Sequence, residues 1–493
     1  MSESALRDEA ISPFVGRSRP LISVAAVMAF TAGAVSFLLA PMLPAIQREF
    51  EISVGDAAWV FTLLLIGSGV SVVMLPRLSD ALGDRIASTI GAGALAIGAS
   101  IPGIHTSFPA LLAGVMTMGL GAATGQLGVG VLRRHLPGGS IRTAVTVTQV
   151  SAGLGSGAGL LVGGFALQEV TIKAFFLSVA ALFVIVAASA WLIIPASERV
   201  AAAQFGIIDL AGLVLWVVPL LYGIKEAAAS GFHLDTITSI VVGTVGAAVW
   251  IQLERRSSAP VLKLSLLKTP LVAKTVIAGF TLGLAIQAVA FLIPFFVQAS
   301  PDIAGYGFGY SVLRSGLILL PYSLVGAVFG AIGGYYVGRG RALTVTGVGA
   351  ACHAIAGTFL MLNLAHSSAF IVAAIIYGIG SGLAGVGLIG AMQTAVPAEL
   401  TGMGVSMVGF IMMISGALGS AVYSGILQSK SVAGMPGVPA QDRFVLCFVI
   451  ACICDVLVAG LCLWSRHAKS SSATPSEVAP SDTSAQGGVK HDV

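Results

Sequence analysis

Residues 342–398 read ALTVTGVGAACHAIAGTFLMLNLAHSSAFIVAAIIYGIGSGLAGVGLIGAMQTAVPA, and no lysine, arginine, aspartate or glutamate occurs between Arg341 and Glu399. A helix that crosses the hydrocarbon core of a bilayer takes about 20 apolar residues. This stretch is long enough for two crossings, and the polar turn from Asn363 to Ser368 divides it. Inside hydrocarbon each backbone N–H and C=O needs a partner within the protein, so long apolar runs broken by short polar turns imply helices. The alternating ten-residue strands that a membrane barrel would require are absent from the sequence.

The same texture extends in both directions. Hydrophobic residues make up 56% of the 493 positions and charged residues only 9%, with a mean hydropathy of +0.98. That is too little polar surface to coat a water-soluble globule. Apolar cores fall at about 21–46, 57–76, 86–104, 108–132, 143–167 and 174–194, then 210–224 and 236–252, then 275–298, 312–337, 342–363, 368–392, 402–427 and 444–465. The expected fold class is an all-α polytopic membrane protein with fourteen spans. The expected divisions are an N-terminal tail over 1–20, a six-helix bundle over 21–194, a linker and two-helix hairpin over 195–270, a second six-helix bundle over 271–465, and a Ser/Thr/Gly-rich disordered tail over 466–493. The first apolar run is too long for a cleavable signal, so it reads as a retained anchor.

Basic residues orient this arrangement. Of the 25 lysines and arginines, eighteen fall on the side that carries both termini, including Arg77, Arg85, Arg133, Arg134, Arg255, Arg256, Arg339 and Arg341. Five fall opposite (Arg48, Lys173, Lys225, Lys430 and Arg443), and Lys274 and Arg314 sit at helix ends. The excess places both termini in the cytoplasm of a bacterial inner membrane. A net charge of +4 with no basic face argues against a nucleic-acid partner. Cys352, Cys447, Cys452, Cys454 and Cys462 all lie in apolar stretches without CxxC spacing or nearby histidine clusters, so they read as buried small residues and no metal or other cofactor is expected. No cluster of catalytic residues gathers near one interface. The tryptophans Trp59, Trp191, Trp250 and Trp464 fall near span ends, as interfacial anchors do; Trp216 lies deeper.

Two six-span segments flanking a central pair are what two transporter halves joined by an inserted hairpin would give, and repeats of this kind build a substrate site at mid-membrane. Between the second and third spans, Pro76-Arg77-Leu78-Ser79-Asp80-Ala81-Leu82-Gly83-Asp84-Arg85 resembles the loop motif G-x-L-x-D-R-x-G-R-R of the major facilitator superfamily. Asp80 and Gly83 match it, whereas Pro76, Ala81 and Asp84 depart from it. A carboxylate beside helix N-termini is favoured by their dipoles, and glycine permits a sharp turn; an ordinary capped turn would use the same residues. An echo, Gly334 to Arg341, sits at the equivalent place in the second half without the acid. In the fifth span Gly155-Ser156-Gly157-Ala158-Gly159-Leu160-Leu161-Val162-Gly163-Gly164 is similar to the antiporter motif G-x-x-x-G-P-x-x-G-G, with Leu160 where proline is usual. Gly155, Gly159 and Gly163 form one flat helix face suited to close approach by a neighbour. The same run contains G-x-G-x-x-A, but no strand precedes it, which excludes a dinucleotide site.

Three more segments are similar to the fourteen-helix drug:proton antiporter branch: Phe205 to Gly212 with Tyr222-Gly223; Glu254-Arg255-Arg256 with Pro260 and Leu264 to Lys268; and Tyr310 to Pro321. The resemblance covers roughly residues 21–465 and implies the major facilitator fold and multidrug-type efflux. It also implies an acid in the first span and an arginine in the fourth, where this chain has Val35 and Val115. Proton coupling therefore does not transfer residue by residue.

Other groups could carry it. Ionisable residues at mid-membrane are costly and are functional candidates by default. Asp455 is one, with a structural hydrogen bond as the alternative role, and His353 is another, with simple packing as its alternative. Gln126 and Gln287 could hydrogen-bond an apolar ligand or join helices, and Arg314 could gate anions or reach lipid headgroups. The expected function is export of hydrophobic or amphipathic small molecules by alternating access, from a monomer whose partners are that cargo, the lipid bilayer and, for coupled transport, protons. The alternatives are a specific metabolite or lipid exporter without proton coupling, and a transport-dead sensor.

Overall fold

The computed structural model describes residues 18–136, 138–196, 207–257, 260, 262–397 and 400–470. The linker over 197–206, with Phe205 and Gly206, and most of both expected tails lie outside the described residues. The long helices are α1 (Ser18–Leu38), α2 (Val54–Leu82), α3 (Asp84–Ile104), α4 (Phe108–Gly121 continuing as Thr124–His135), α5 (Gly138–Glu169), α6 (Ile172–Ile193), α7 (Ile207–Ser230), α8 (Leu234–Arg256), α9 (Pro270–Gln298), α10 (Val312–Val337), α11 (Ala342–Leu362), α12 (Ser367–Ala395), α13 (Thr401–Gln428) and α14 (Gln441–Ser470). Thirteen of these are long and apolar enough to cross a membrane among the described residues. The other, α7, has 24 residues, about 36 Å at 1.5 Å per residue.

Connections are short and the helices alternate in direction, so the described chain begins and ends at one face, here termed the terminal face. Four helices that start at the opposite, far face are capped by a hydroxyl: Ser53, Ser107, Thr171 and Ser311 accept the backbone N–H of Asp56, Ala110, Ala174 and Arg314. Such caps satisfy N–H groups that helix geometry leaves open. Where the first apolar run was expected to continue to residue 46, α1 stops at Leu38 and a short helix, Leu43–Glu49, follows. Pro41 and Pro44 lack the N–H groups that a continuous helix would need. The break in α4 frees the N–H of Ala123, which donates to Ser71 Oγ on α2 at 3.0 Å.

Helix α1 packs on α5 and α4, α3 on α6 and α4, and α2 on α4, which makes one bundle; α10 and α11 pack on α12, and α9 and α11 on α14, in the other. Helix α8 packs on α7, which lies across α13 and α2. Among the described residues the hairpin packs on the bundles mainly through α7. Trp250 is buried against Trp216, with ring centroids 6.2 Å apart, and is not the interfacial anchor that its place in the sequence suggested. Beyond the far ends, β1 (Ser431–Val432) pairs with β2 (Met435–Pro439), and Tyr306 donates to the carbonyl of Pro439.

Candidate functional site

The bundles meet along two seams. In the first, α2 lies on α13: Gln428 Nε2 donates to Ser53 Oγ at 2.7 Å, Thr62 Oγ1 donates to Ser420 Oγ at 3.2 Å, and lower down Gly69 faces Phe410 and Met413 while Gly409 faces Val72. In the second, α5 lies on α10. A Cβ on Gly164 would stand 2.9 Å from the Cα of Leu313, one on Gly316 would overlap the carbonyl of Leu160, and one on Gly153 would overlap Ala327. Toward the terminal face Val147 and Val150 on α5 and Val328 and Ile332 on α10 are exposed. The glycine contacts between the two helices thus run from their far ends to mid-helix.

The far closure is completed by apolar and polar contacts from α1 and α9. Phe37 meets Tyr322 edge to face at 5.6 Å, and Gln298 Nε2 donates to the carbonyl of Pro41 at 2.9 Å. Gln126 lies on the lower part of α4 and is exposed, and a Cβ on Gly130, one turn on, would meet nothing within 4 Å. Gln287 has a different setting. It is buried against Gly416 and Gly419 of α13, and its Nε2 has no partner. Arg314 is exposed in the first turn of α10 with its guanidinium 3.7 Å from the centre of the Tyr310 ring.

The glycines of α5 divide between two neighbours. Gly155, Gly159 and Gly163 lie against the carbonyls of Phe30, Ala34 and Leu38 on α1, within one bundle, whereas Gly164 faces α10 across the seam. A side chain at any of the first three would overlap backbone, so these positions fix how closely α1 and α5 approach.

At the terminal face the loop motif forms a tie. Gly83 has φ 96°, a conformation that favours glycine. Asp80 pairs with Arg134 at 2.9 Å. Asp84, which departs from the family pattern, is the fully buried acid of the group: it accepts hydrogen bonds from Ser79, from Arg134 at 2.9 Å and from His135 at 3.1 Å. Arg85 Nε donates to the carbonyl of Ile194 at 2.7 Å, beside Trp191. Arg77 donates to the carbonyl of Pro260, and Glu254 accepts the N–H of Leu262. Sequence reasoning passed over Asp84, Arg134, His135 and Glu254 as site residues. The run Arg133-Arg134-His135 at a helix end, one loop from two acids, was the signal available.

Asp455 on α14 and His353 on α11 come together, with Nδ1 3.7 Å from Oδ1, and both are buried. Val35 and Val115 are buried apolar residues. Among the described residues no group of three or more His, Cys, Asp or Glu side chains could hold a metal ion, and the five cysteines are free.

A model of the Major Facilitator Superfamily matches residues 25–420. The multidrug resistance protein Stp of Mycobacterium tuberculosis is 26% identical over 400 residues, covering 78% of this chain and 71% of that protein. The tetracenomycin C resistance and export protein of Streptomyces glaucescens is 26% identical over 428 residues, covering 84% and 77%. Among solved structures the nucleoside transporter NupG, crystallised as a point mutant, aligns with a TM-score of 0.65 at 13% identity, over 90% of this chain and 99% of that one.

Proposed function

The chain belongs to the Major Facilitator Superfamily, and from that membership we propose that it exports hydrophobic or amphipathic small molecules by alternating access, driven by a proton gradient. It is a multi-span transporter and not an enzyme. The moving bodies are residues 21–194 and 271–465, the segment 195–270 carries the hairpin, and residues 1–20 and 466–493 are cytoplasmic tails. The excess of lysine and arginine makes the terminal face cytoplasmic in a bacterial inner membrane, and the chain acts as a monomer.

The observation that carries this reading is where the halves touch: α5 on α10 and α1 on α10 meet from Gly164 and Phe37 to mid-depth, while Gln126, on the terminal half of α4, is exposed. This supports a site that opens toward the cytoplasm, from which an exporter loads. The opening offers an amide and apolar side chains with little fixed charge, which suits neutral cargo; a cation would want a buried carboxylate partner. Relatives named for multidrug resistance and for tetracenomycin C export support a cargo of this class.

Val35 and Val115 favour a second reading, a specific metabolite or lipid exporter that needs no proton. Efflux of the neutral dye Nile red from cells producing the chain separates the two. Extrusion that stops when a protonophore is added supports proton-coupled export, and extrusion that continues supports export without a proton, as in the second reading, with lipid-like cargo. No extrusion at all overturns export of this cargo class and favours a transport-dead sensor.

A further inference from the structure

We infer that Asp455 and His353 form a single proton-binding site inside the second bundle, linked to the contact between the halves through Tyr377 and Tyr322. The inference rests on the export reading for its role in transport, but the site itself is argued from geometry alone. Among the described residues the buried ionisable side chains of the acid and base types are Asp84, Lys225, Glu254, His353 and Asp455. Asp84 is matched by Arg134 and His135, Lys225 by Glu226 at 2.9 Å, and Glu254 by the N–H of Leu262. Asp455 and His353 face each other at 3.7 Å, at 1% and 0% exposure, and Oδ1 of Asp455 makes no hydrogen bond.

One proton on a carboxylate and imidazole pair leaves no net charge, whichever of the two holds it. Removing that proton leaves an uncompensated carboxylate in the membrane interior, at a cost of about 2.5 kcal/mol or more. Adding a second leaves a lone imidazolium. The closed site therefore holds one proton, and exchange with water waits for a conformation that hydrates it. Among the described residues no other strong acid or base is buried beside the pair. The side chains nearby are the phenols of Tyr377 on α12, Tyr322 on α10 and Tyr423 on α13, with the thiols of Cys447, Cys452 and Cys454 on α14 and Cys352 on α11; the charged residues of α9 and α10 nearest in sequence, Lys274 and Arg314, sit at helix ends.

The surroundings are built around these two groups. A Cβ on Gly380 would overlap Cδ2 of His353, and one on Gly357 would stand 2.8 Å from the hydroxyl of Tyr377 and overlap Sγ of Cys452. The imidazole meets the Tyr377 ring edge to face, with centroids 5.2 Å apart. The next residue, Gly378, lies on the backbone of Tyr322, where a Cβ would be 2.7 Å from its carbonyl, and the Tyr322 ring meets Phe37 of the first bundle. A change of charge at Asp455 and His353 thus acts on packed aromatic rings that end at the joint between the halves. One proton per cycle with neutral cargo also makes transport electrogenic.

Two measurements on the purified full-length chain test this. Infrared difference spectra taken across a pH titration should contain the C=O stretch of one protonated carboxyl that disappears in Asp455→Asn and moves in His353→Gln or Gly380→Ala; a role in packing alone would leave no titrating carboxyl. Identical spectra for the parent chain and Asp455→Asn overturn the inference, and if Asp455→Asn does not fold, an unmoved band in His353→Gln does so. In liposomes, Asp455→Asn and His353→Gln should each lose at least ten-fold in pH-gradient-driven Nile red uptake while keeping gradient-independent dye exchange, and Asp455→Glu should recover part of the driven flux. A titrating carboxyl in a chain that moves no Nile red would sustain the proton site and sink the export reading.

Discussion

The two seams between the bundles are built from different chemistry. The α2–α13 seam is polar at its far end: Ser53 and Thr62 bond Gln428 and Ser420, and Lys225 of α7 covers the junction, 2.9 Å from Glu226 and 3.7 Å from Asp56. Tyr222 and Trp59 stack across the same place, 6.4 Å apart. The α5–α10 seam is made of glycines: Gly164 and Gly316 lie against backbone, Gly157 against the side chains of Leu320, Ser323 and Leu324, and Gly153 against Ala327. Opening the first breaks the Gln428–Ser53 and Thr62–Ser420 hydrogen bonds and takes Lys225 away from Asp56, whereas opening the second forfeits dispersion contacts between closely approaching helices. In alternating access the glycine seam should therefore open and close first, and the polar seam, covered by α7, should act as its restraint.

The largest effect is expected at the glycine seam. Gly316→Leu places a side chain where the Leu160 carbonyl already lies, and backbone on both sides leaves it nowhere to go. Nile red efflux should fall by more than ten-fold, equivalent to about 1.4 kcal/mol or more against far closure. Gly93→Leu on α3, at a site with nothing within 4 Å, should change efflux less than about two-fold, within the range of a substitution that meets no constraint. Equal loss in both variants would mean that bulk in any helix matters and the seam does not.

Next comes Lys225→Ala, which leaves Asp56 and Glu226 facing each other without the cation. Breaking a buried pair costs about 3–5 kcal/mol. Both acids here are partly exposed, at 47% and 28%, so about 1–2 kcal/mol is the better expectation. Hydrogen exchange measured by mass spectrometry should rise about ten-fold over residues 53–62 and 420–428, since 1.4 kcal/mol is a factor of ten in an opening equilibrium. Exchange over 153–164 should stay as it was. A uniform rise along both seams would erase the distinction drawn between them.

How much of this was readable beforehand follows from how local each signal is. Span positions were legible because hydrocarbon sets a length of about 20 apolar residues and excludes charge, and the 342–398 stretch gave two helices on that ground alone. The four-residue spacing of Gly155, Gly159 and Gly163 announced a packed face, and Gly83 announced a turn. Partners were not legible. Nothing in the sequence says that the face meets α1 while Gly164 meets α10, or that Asp455 and His353, about a hundred residues apart, share one spot, because such pairings depend on how helices are arranged around one another. Asp84 was misleading for a related reason: compared with a family pattern it is a departure, yet its surroundings of Ser79, Arg134 and His135 make it the best satisfied acid at that face.

The smallest effect, and the finest test of the polar seam, is Gln428→Ala. The amide gives Ser53 one hydrogen bond at 2.7 Å. Ser53 keeps its own helix-capping bonds to Asp56, accepting the N–H at 3.0 Å and donating to the carboxylate at 2.6 Å, so α2 should not unravel when Gln428 is shortened. The loss is then one neutral bond between bundles, about 1 kcal/mol, and a rise in hydrogen exchange of about five-fold confined to the first turn of α2. If the seam works as a unit under α7, the double variant Lys225→Ala with Gln428→Ala should cost less than the sum of the two, because the first opening already exposes the second bond. Strict additivity would separate α7 from the seam and leave it a bystander that happens to lie across two helices.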